Sequence, residues 1–503
     1  MSVTPDFSAF AATFEAGRPQ VLWTTLHSDL ETPVSAMLKL SQGRTDCFLL
    51  ESVEGGANRG RYSFIGLEPD LIWRAFGDKA EVNRRALSDP TAFEPCSDGV
   101  IGSLRALITD SRIDLPESLP PMAAGLVGYM SYDMVRLFER LPDDNPDVVG
   151  VPDGVFVRPT VVAVFDAVED AIKIITPVRP GEEGAADAKT AYDAAVRRLE
   201  ETTRRLTGPM PAEPAKKNLP SLSVDPEKCS NMSRADFHAM VEKGKEYIFA
   251  GDIFQVVLSQ RFAVPFALPA FDLYRALRRL NPSPFLFFLD FDGFSIVGSS
   301  PEILVRVRNG TVTVRPIAGT RPRGKTKQED RALADDLLSD PKELSEHLML
   351  LDLGRNDVGR VAKVGSVTVT ERNIIEYYSH VMHIVSNVEG DLDPKYDAVD
   401  ALMAGFPAGT VSGAPKVRAM EIIDELEPEK RSFYAGCIGY FGADGEMDTC
   451  ITLRTGLVKD GTLYVQAGGG IVADSDPESE YQESCNKARA LIRAAEEAVK
   501  TAG

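Results

Sequence analysis

Two pairs of glutamates, each pair spaced by three residues, occur in separate parts of this 503-residue sequence. Glu343 and Glu346 precede the apolar run LMLLDL, and Glu480 and Glu483 lie near the start of a C-terminal segment with helical periodicity. Residues three apart share a helix face, so each pair presents two carboxylates together. Two carboxylates on separate helices, with the other positions left to water and substrate, are a usual arrangement for binding Mg²⁺.

The same spacing also fits an ordinary solvated surface. Lys487 follows Glu483 by four residues, which is the spacing of an exposed ion pair on a helix. Glu343 and Glu346 can lie at the start of a helix, where the helix dipole favours acids. Acids that border a buried helix face nevertheless need a partner. The spacing alone leaves both interpretations open.

The stretch TVRPIAGTRPRG, from Thr313 to Gly324, predicts a buried strand that leads into a polar loop at Gly319 and Thr320. The residue before this pair is Ala318, the smallest ordinary side chain. It either packs against a neighbour or stands where a reactive side chain could be. The stretch by itself does not separate these two possibilities.

Two kinds of chemistry are excluded by the motifs. The glycines at 468–470 and the segment FPAGTVSGAPK do not match the spacing of a phosphate loop, which excludes nucleotide binding, although their backbone N–H groups remain suitable anion contacts. The segment around Cys437 is close to the elbow of a thiol nucleophile, but Ala435 replaces its first glycine. No histidine follows His383 to serve as a base, so we exclude a cysteine amidase. His383 itself alternates with apolar neighbours on an apparent strand and is expected to point inward.

Composition limits the partners and the compartment. The formal net charge is −20, which argues against nucleic acid or an anionic membrane surface as a partner. An anionic substrate would be repelled by this charge, so its site would need local cations or a metal. Six scattered cysteines without metal spacing indicate a reduced, cytosolic protein. No secretory signal and no membrane span are evident, and we therefore predict a cytoplasmic location.

Several elements must position these residues. Helices are predicted from Ser233 to Ala250 and from about Pro477 to Lys500, with Asp476 as the N-cap of the second. Between them, apolar segments separated by tight turns are typical of an antiparallel meander. The stretch 205–230 is rich in Pro, Lys and Ser and predicts a linker, so we divide the chain into residues 1–222 and 223–503.

Nine segments occur together in the order of one known family. They are GDIFQVVLSQRF, GSSPEILVRV, RPIAGTRPRG, EHLMLLDLGRNDVGRV, MHIVSNVEG, FPAGTVSGAPKVRAMEII, FYAGCIGY, CITLRT and AGGGIVADSDPESEYQESCNKA. With them the chain resembles the chorismate-utilising enzymes, and most closely the large synthase subunits of anthranilate synthases. The resemblance implies an α/β/β/α sandwich of antiparallel sheets, that is, an α+β fold. It also implies a reaction of chorismate with ammonia that gives anthranilate and pyruvate.

The resemblance implies a role for each candidate residue. Glu346 and Glu483 would hold Mg²⁺, with Glu343 and Glu480 as auxiliary carboxylates. Glu302 would protonate the leaving hydroxyl, and His383 is associated with the elimination of pyruvate. The substrate would be bound by Gly319, Thr320, Thr410, Tyr434, Arg454, Gly468, Gly469, Gly470 and Lys487.

Two residues would set the specificity. The related enzyme that makes 4-amino-4-deoxychorismate usually carries a lysine at the position of Ala318, and isochorismate and salicylate synthases usually carry a lysine base at the position of Gln255. Neither residue here can play those parts, which favours anthranilate as the product. The alternatives are an aminodeoxychorismate synthase component I and a non-catalytic tryptophan-binding regulator.

The resemblance further implies control and a partner. Feedback inhibition by L-tryptophan would involve Ser52 in LLES and Pro284, Phe285 and Leu286 in NPSPFL, although the family more often has Tyr-Met where this chain has Phe285 and Leu286. Residues 1–222 would then be a regulatory and scaffold region, and residues 223–503 the catalytic region. A separate glutamine amidotransferase subunit, component II, would supply ammonia.

Overall fold

The computed structural model describes residues 2–54, 58–181, 187–212, 222–378 and 381–502. Residues 213–221 of the predicted linker lie outside the described residues, and the division at residue 222 stays a prediction. Within the described ranges, no helix has the length and apolar character needed to span a bilayer.

The first half of the chain contains both helices and strands. In chain order they are α1 (Phe7–Glu15), β1 (Gln20–His27), α2 (Pro33–Ser41), β2 (Cys47–Glu54), β3 (Asn58–Phe76), β4 (Lys79–Asn83), β5 (Glu94–Pro95), α3 (Gly99–Asp110), β6 (Gly125–Met130), β7 (Gly154–Asp166), β8 (Ala171–Val178) and α4 (Ala188–Leu206). Two short 3₁₀ helices, Pro121–Ala123 and Tyr132–Leu137, flank β6.

The second half contains most of the strands. In chain order the elements are α5 (Pro226–Cys229), α6 (Arg234–Ala250), β9 (Gln255–Pro265), α7 (Ala270–Leu280), β10 (Phe285–Phe291), β11 (Phe294–Ser300), β12 (Ile303–Arg308), β13 (Thr311–Val314), β14 (Ile317–Pro322), α8 (Lys327–Ser339), α9 (Pro341–Gly359), β15 (Thr368–Tyr377), β16 (Val381–Asp391), α10 (Ala398–Gly405), α11 (Gly409–Ser412), β17 (Gly413–Ala414), α12 (Lys416–Leu426), β18 (Cys437–Gly442), β19 (Met447–Ile451), β20 (Thr455–Lys459), β21 (Thr462–Ile471) and α13 (Pro477–Ala502).

The strands of the described residues form one hydrogen-bonded network that contains two long runs. One run follows the order β2, β10, β11, β20, β21 and β9. The other follows β7, β6, β18, β19, β12, β13, β16 and β14. The long strand β3 joins them because it pairs with both β2 and β7, and all these pairings are antiparallel.

The two runs pack face to face and are covered by helices. One buried apolar cluster unites Phe48 and Phe287 of the first run with Tyr129 and Ile438 of the second. Helices α6, α7 and α13 cover the first run, whereas α8, α9 and α10 cover the second. This is an α/β/β/α sandwich of antiparallel sheets, and the predicted fold class is confirmed.

Capping residues define the helices that were predicted from the sequence. Ser233 and Asp236 form a capping box at the start of α6. Asp476 Oδ1 accepts the backbone N–H of Ser479 at 3.0 Å at the start of α13. Such caps satisfy amide groups that a helix end leaves without partners, which is why these helix starts are readable from local sequence.

Two sequence predictions of local structure are wrong. β9 pairs with β21 and β17 and not with β10, so the apolar strands do not form a simple meander. The predicted loop at Gly319 and Thr320 is part of β14, which pairs with β16 through a bulge between Ala318 and Thr320. Gly319 has a φ of 67°, a left-handed conformation that glycine adopts without a steric penalty, so the strand continues past it.

Candidate active site

A cavity of about 610 Å³ lies between the N-terminal half of α9, the first turns of α13, the starts of β9 and β14 and the second half of β21. Its size is suited to a small-molecule substrate. It gathers the residues predicted for catalysis, substrate, metal and specificity: Gln255, Glu302, Ala318, Gly319, Thr320, Glu343, Glu346, His383, Thr410, Tyr434, Arg454, Gly468, Gly469, Gly470, Glu480, Glu483 and Lys487. This placement brings the residues together, while their individual roles stay predictions.

Four glutamates from two helices meet at this cavity. Burial raises the pKa of Glu346, and the neighbouring charges of Glu343 and Glu483 raise it further. Burial likewise raises the pKa of Glu480, with a further contribution from Glu483. Glu346 and Glu480 are thus close enough to other carboxylates to be repelled by them, and a cation between the carboxylates would relieve that repulsion.

Each of the four carboxylates is also held by a polar neighbour. Gln255 Nε2 donates to Glu346 Oε1 at 3.0 Å, and Lys487 Nζ lies 2.7 Å from Glu483 Oε1. Glu343 Oε1 lies 3.1 Å from Arg321 Nη1, and Glu480 Oε1 accepts from the Ser475 hydroxyl at 2.7 Å. These contacts fix where the carboxylate oxygens point.

The donor set fits Mg²⁺ with an incomplete protein shell. Within the described ranges, no three acidic, histidine or cysteine side chains are grouped closely enough to hold a metal by themselves. A Cβ at Gly469 would lie 2.8 Å from Glu480 Oε2 and 3.6 Å from Glu483 Oε1, so these oxygens lie over bare backbone. Mg²⁺ is usually bound by one or two carboxylates together with water and substrate oxygens. Glu346 and Glu483 match that pattern.

Glu302 is a carboxyl group that stays protonated at neutral pH. It is 6% exposed, and burial raises its pKa to about 8. The Thr410 hydroxyl donates to Glu302 Oε1 at 3.0 Å, and this bond, together with the backbone N–H of Ile317, lowers the pKa in part. A buried acid with a proton at neutral pH is suited to protonate a leaving group.

His383 is held as a neutral ring with a defined tautomer. Its Nδ1 lies 2.9 Å from the Gly319 carbonyl oxygen and 3.1 Å from the Thr320 hydroxyl. A carbonyl oxygen only accepts, so Nδ1 carries the proton and Nε2 keeps its lone pair. Burial lowers the pKa of His383, which favours the neutral form. The bulge at Gly319 therefore prepares Nε2 as a proton acceptor.

Arg454 and Tyr434 supply a cation and a hydroxyl on another wall. Both line the cavity, and the Arg454 guanidinium donates no hydrogen bond to any residue in the described ranges. Burial raises the pKa of Tyr434 to about 12, so its hydroxyl keeps its proton and can donate. The Arg454 guanidinium is therefore available to bind an anionic ligand. Its positive charge would offset the repulsion that a protein of net charge −20 exerts on an anion.

The two predicted specificity residues both face the cavity. Gln255 is 3% exposed, and its Oε1 has no hydrogen-bond partner among the described residues. A buried acceptor without a donor costs free energy, so a ligand that donates there would be favoured. Ala318 pairs with Ile384 on β16 and leaves room where a longer side chain would reach the ligand.

The residues predicted to bind tryptophan lie outside this cavity. β2 and β10 are hydrogen-bonded neighbours, with Leu286 opposite Glu51, so Ser52 lies beside Phe285. Ser52 falls at a bulge in the pairing of β2 with β3. Phe285 pairs on its other side with Ser300, and the next residue, Pro301, lines the cavity. The two regions are thus one strand apart.

Sequence reasoning missed two arginines that support the site. Arg321 follows Thr320 and bonds to Asp336 and Glu343, and its place directly after two predicted site residues was a usable signal. Arg431 is fully buried below the cavity, although EPEKRS reads as a solvated, charged loop. No local signal distinguishes such a buried arginine from an exposed one.

The chain matches the family described as chorismate binding enzyme over residues 47–493. It is 58% identical over 493 residues to anthranilate synthase component 1 of Cereibacter sphaeroides, covering 98% of both chains. The crystal structure of anthranilate synthase component I from Streptococcus pneumoniae matches with 37% identity and a TM-score of 0.75, covering 93% of this chain and 99% of that one. The menaquinone-specific isochorismate synthase of Escherichia coli shares the fold, with 20% identity, a TM-score of 0.67, and coverage of 97% of this chain and 100% of that one.

Proposed function

The chain belongs to the family of chorismate binding enzymes, and we propose that it is the synthase subunit of an anthranilate synthase. In this proposal it is a Mg²⁺-dependent lyase that converts chorismate and ammonia to anthranilate and pyruvate, the first committed step of tryptophan biosynthesis. The observation that carries the proposal is the meeting of Glu346 and Glu483 in one cavity with a protonated Glu302.

Substrate binding would divide between the two ends of the cavity. Glu346 and Glu483 would hold Mg²⁺, which would supply positive charge for the ring carboxylate and for the electrons that shift through the ring. Arg454 and Tyr434 would bind the enolpyruvyl carboxylate, assisted by backbone N–H groups of the glycines at 468–470. Lys487, which bonds to Glu483 and to the Gly468 carbonyl, would limit the negative charge near the metal.

Addition of ammonia would be the first chemical step. Ammonia forms a bond to C2 of the ring, the ring double bonds shift, and the C4–oxygen bond breaks. Glu302 gives its proton to the departing hydroxyl, which leaves as water. Gln255 Oε1, which has no donor among the described residues, would accept an N–H of the incoming ammonia.

Elimination of pyruvate would be the second step. His383 Nε2 would remove the proton from C2, the electron pair would form the C2–C3 double bond that completes the aromatic ring, and the C3–oxygen bond would break to release the enolate of pyruvate. The enolate then takes up a proton on its CH₂ carbon and becomes pyruvate. The Gly319 carbonyl supports this step because it keeps the His383 proton on Nδ1.

We expect the chain, supplied with chorismate, Mg²⁺ and ammonium salt at raised pH, to form a product with the fluorescence of anthranilate. Ammonia is a nucleophile without activation, so no base at position 255 is needed. The rival function, an aminodeoxychorismate synthase, predicts 4-amino-4-deoxychorismate, and Ala318 argues against it because an alanine cannot attack the ring. Liquid chromatography with mass detection separates the two products. Formation of 4-amino-4-deoxychorismate instead of anthranilate would reverse the assignment.

The partner in this proposal is a glutamine amidotransferase subunit, component II. The relatives carry the name component 1. Cys437, in the segment closest to a nucleophile elbow, is buried, and burial raises its pKa to about 12, which makes it a poor nucleophile for amide hydrolysis. Adding glutamine should therefore give no anthranilate until the amidotransferase is supplied.

Feedback inhibition by L-tryptophan is the regulatory part of the proposal. Its support is the position of Ser52 and Leu286 on neighbouring strands β2 and β10, and of Pro301 one strand further, at the cavity wall. A ligand that fixes the spacing of β2 and β10 would act on the strand that leads into Glu302.

L-Tryptophan is expected to raise the melting temperature of the free protein. A ligand present at about 100 times its Kd stabilises the folded state by about 2.7 kcal/mol, which corresponds to a rise of a few degrees. Differential scanning fluorimetry with L-tryptophan, and with D-tryptophan as the matched control, measures this. An unchanged melting curve in millimolar L-tryptophan, or an equal rise with the D isomer, would count against a feedback site.

A further inference from the structure

A buried ion pair lies directly beneath the cavity, between Arg431 and Glu427. The pair is bidentate: Arg431 Nε donates to Glu427 Oε2 at 2.9 Å, and Nη2 donates to Oε1 at 2.6 Å. Neither side chain is more than a few per cent exposed. Burying such a pair costs desolvation free energy and is in general no more stabilising than apolar packing. The ion pair is therefore better explained by the groups that it holds in position than by a contribution to stability.

The arginine connects three walls of the cavity. Nη1 donates to the Val411 carbonyl at 2.7 Å, and Nη2 also donates to the Val257 carbonyl at 2.6 Å. The guanidinium carbon lies 5.5 Å from the ring centre of Tyr434, whose backbone N–H bonds to the Arg431 carbonyl. Val257, Val411 and Tyr434 all line the cavity. One side chain thus spans β9, α11 and the loop before β18.

The glutamate extends this connection. Glu427 Oε1 also accepts the backbone N–H and the hydroxyl of Ser259, each at 2.8 Å. The Ser259 hydroxyl in turn accepts from Gln466 Nε2 at 2.9 Å, and Gln466 lines the cavity on β21. Every oxygen of the carboxylate therefore has a partner. The charge of Arg431 is compensated without being available to a ligand.

We propose that Arg431 is a positioning residue that fixes Thr410 against Glu302 and Tyr434 against the substrate. Thr410 immediately precedes Val411 in the single turn of α11, so the bond to the Val411 carbonyl restrains the hydroxyl that bonds to Glu302. The planar guanidinium of Arg431 carries five N–H donors in fixed directions, so it can bond to all these acceptors at once. A lysine ammonium cannot reach the same acceptors together. The inference rests on the proposed function, because it assigns Glu302 the part of general acid.

The test compares Arg431→Lys with Arg158→Lys. Arg158 makes a similar buried, bidentate contact to Asp70, at 2.8 and 2.9 Å, and neither residue lines the cavity. Both variants are expected to lose similar thermal stability. Only Arg431→Lys is expected to lower kcat, by about 10- to 100-fold, because misplacing a reacting group costs that order of rate.

A pH profile separates positioning from general damage. If Arg431→Lys loses the Thr410 bond, the pKa of Glu302 rises, so the decrease of kcat at alkaline pH should occur at a higher pH when free ammonia is held constant. Thr410→Val alone should shift this decrease in the same direction, and adding Arg431→Lys to Thr410→Val should shift it no further. An Arg431→Lys variant with the parental kcat and the parental pH profile, or an equal loss of kcat in Arg158→Lys, would overturn the proposal.

A second variant tests the proposal even if Arg431→Lys does not fold. Arg431→Gln with Glu427→Gln removes both buried charges, so it should fold even where Arg431→Lys does not, and it should show the same kinetic loss. Parental kinetics in this double variant would overturn the proposal.

Calorimetric binding of chorismate with Mg²⁺ gives a measurement that needs no turnover. Weaker binding in Arg431→Lys but not in Arg158→Lys supports the proposal even if the parent makes no anthranilate. Equal binding in all three proteins would contradict it.

Discussion

Replacing Glu302 with glutamine is expected to lower kcat for anthranilate formation by about 10²- to 10⁴-fold, the usual contribution of a general acid. Glutamine is close in shape to a protonated glutamate and keeps an oxygen that can accept from Thr410. The substitution therefore removes the transferable proton without emptying the pocket. Steady-state kinetics with saturating ammonia measure the loss, and KM for chorismate should change little. A variant with parental kcat would show that another group protonates the leaving hydroxyl.

The same substitution is expected to make the folded protein more stable at neutral pH. The folded-state pKa of Glu302, about 8, lies above the ordinary value of 4.5, so the wild-type carboxyl loses its contribution to stability as the pH rises between these values. Glutamine does not titrate, so the variant does not share this loss. At pH 7 the difference should be on the order of 3 kcal/mol and should shrink toward pH 4.5. Chemical denaturation at several pH values measures it, and equal stability at pH 7 would contradict the protonated state.

Replacing Glu346 or Glu483 with glutamine is expected to abolish the Mg²⁺-dependent reaction. Loss of one carboxylate removes a metal contact, and several kcal/mol of charge stabilisation corresponds to a loss of about 10³-fold or more in kcat/KM. Both variants should stay folded, because removing a charge from Glu346 relieves repulsion from Glu343 and Glu483. The measurement is anthranilate formation across a Mg²⁺ titration, together with the shift in melting temperature that Mg²⁺ and chorismate cause in the parent.

A control for this experiment lies on the same helix. Glu478, in the first turn of α13, bonds to Arg234 and does not line the cavity. Glu478→Gln should keep parental kcat and the parental thermal shift with Mg²⁺ and chorismate. A Glu483→Gln protein that turns over at the parental rate would remove the metal site from the proposal. A parent protein that forms no anthranilate at any Mg²⁺ concentration would instead favour the non-catalytic regulator.

Local rules were sufficient to predict the helix that carries Glu480 and Glu483. The N-cap at Asp476 is a short-range signal, and the spacing of the two glutamates fixes a common face. What the spacing left open was whether these acids face water or one another. That depends on whether α9 and α13 meet across the cavity. Such a contact between distant parts of the chain cannot be derived from local spacing, and only the resemblance to a family predicted it.

Other features of the site lay beyond sequence reasoning because burial decides them. Glu302 keeps its proton because distant strands exclude water from it, and nothing in SSPE indicates that. Glu427 and Arg431 are four apart and read as an exposed ion pair, yet both are buried. The strand partners of β9 were also missed, since apolar strands of similar composition give no indication of which distant strand each one pairs with.

The pairing of β2 with β10 and of β6 with β18 joins strands that the ribosome makes far apart in time. Until the later strands emerge, the nascent chain exposes β2 and β6 as unpaired edges, which are the usual starting points of aggregation. Long-range pairing of this kind also slows folding. We therefore expect these two edges to be the parts of the nascent chain that most need protection from aggregation during synthesis.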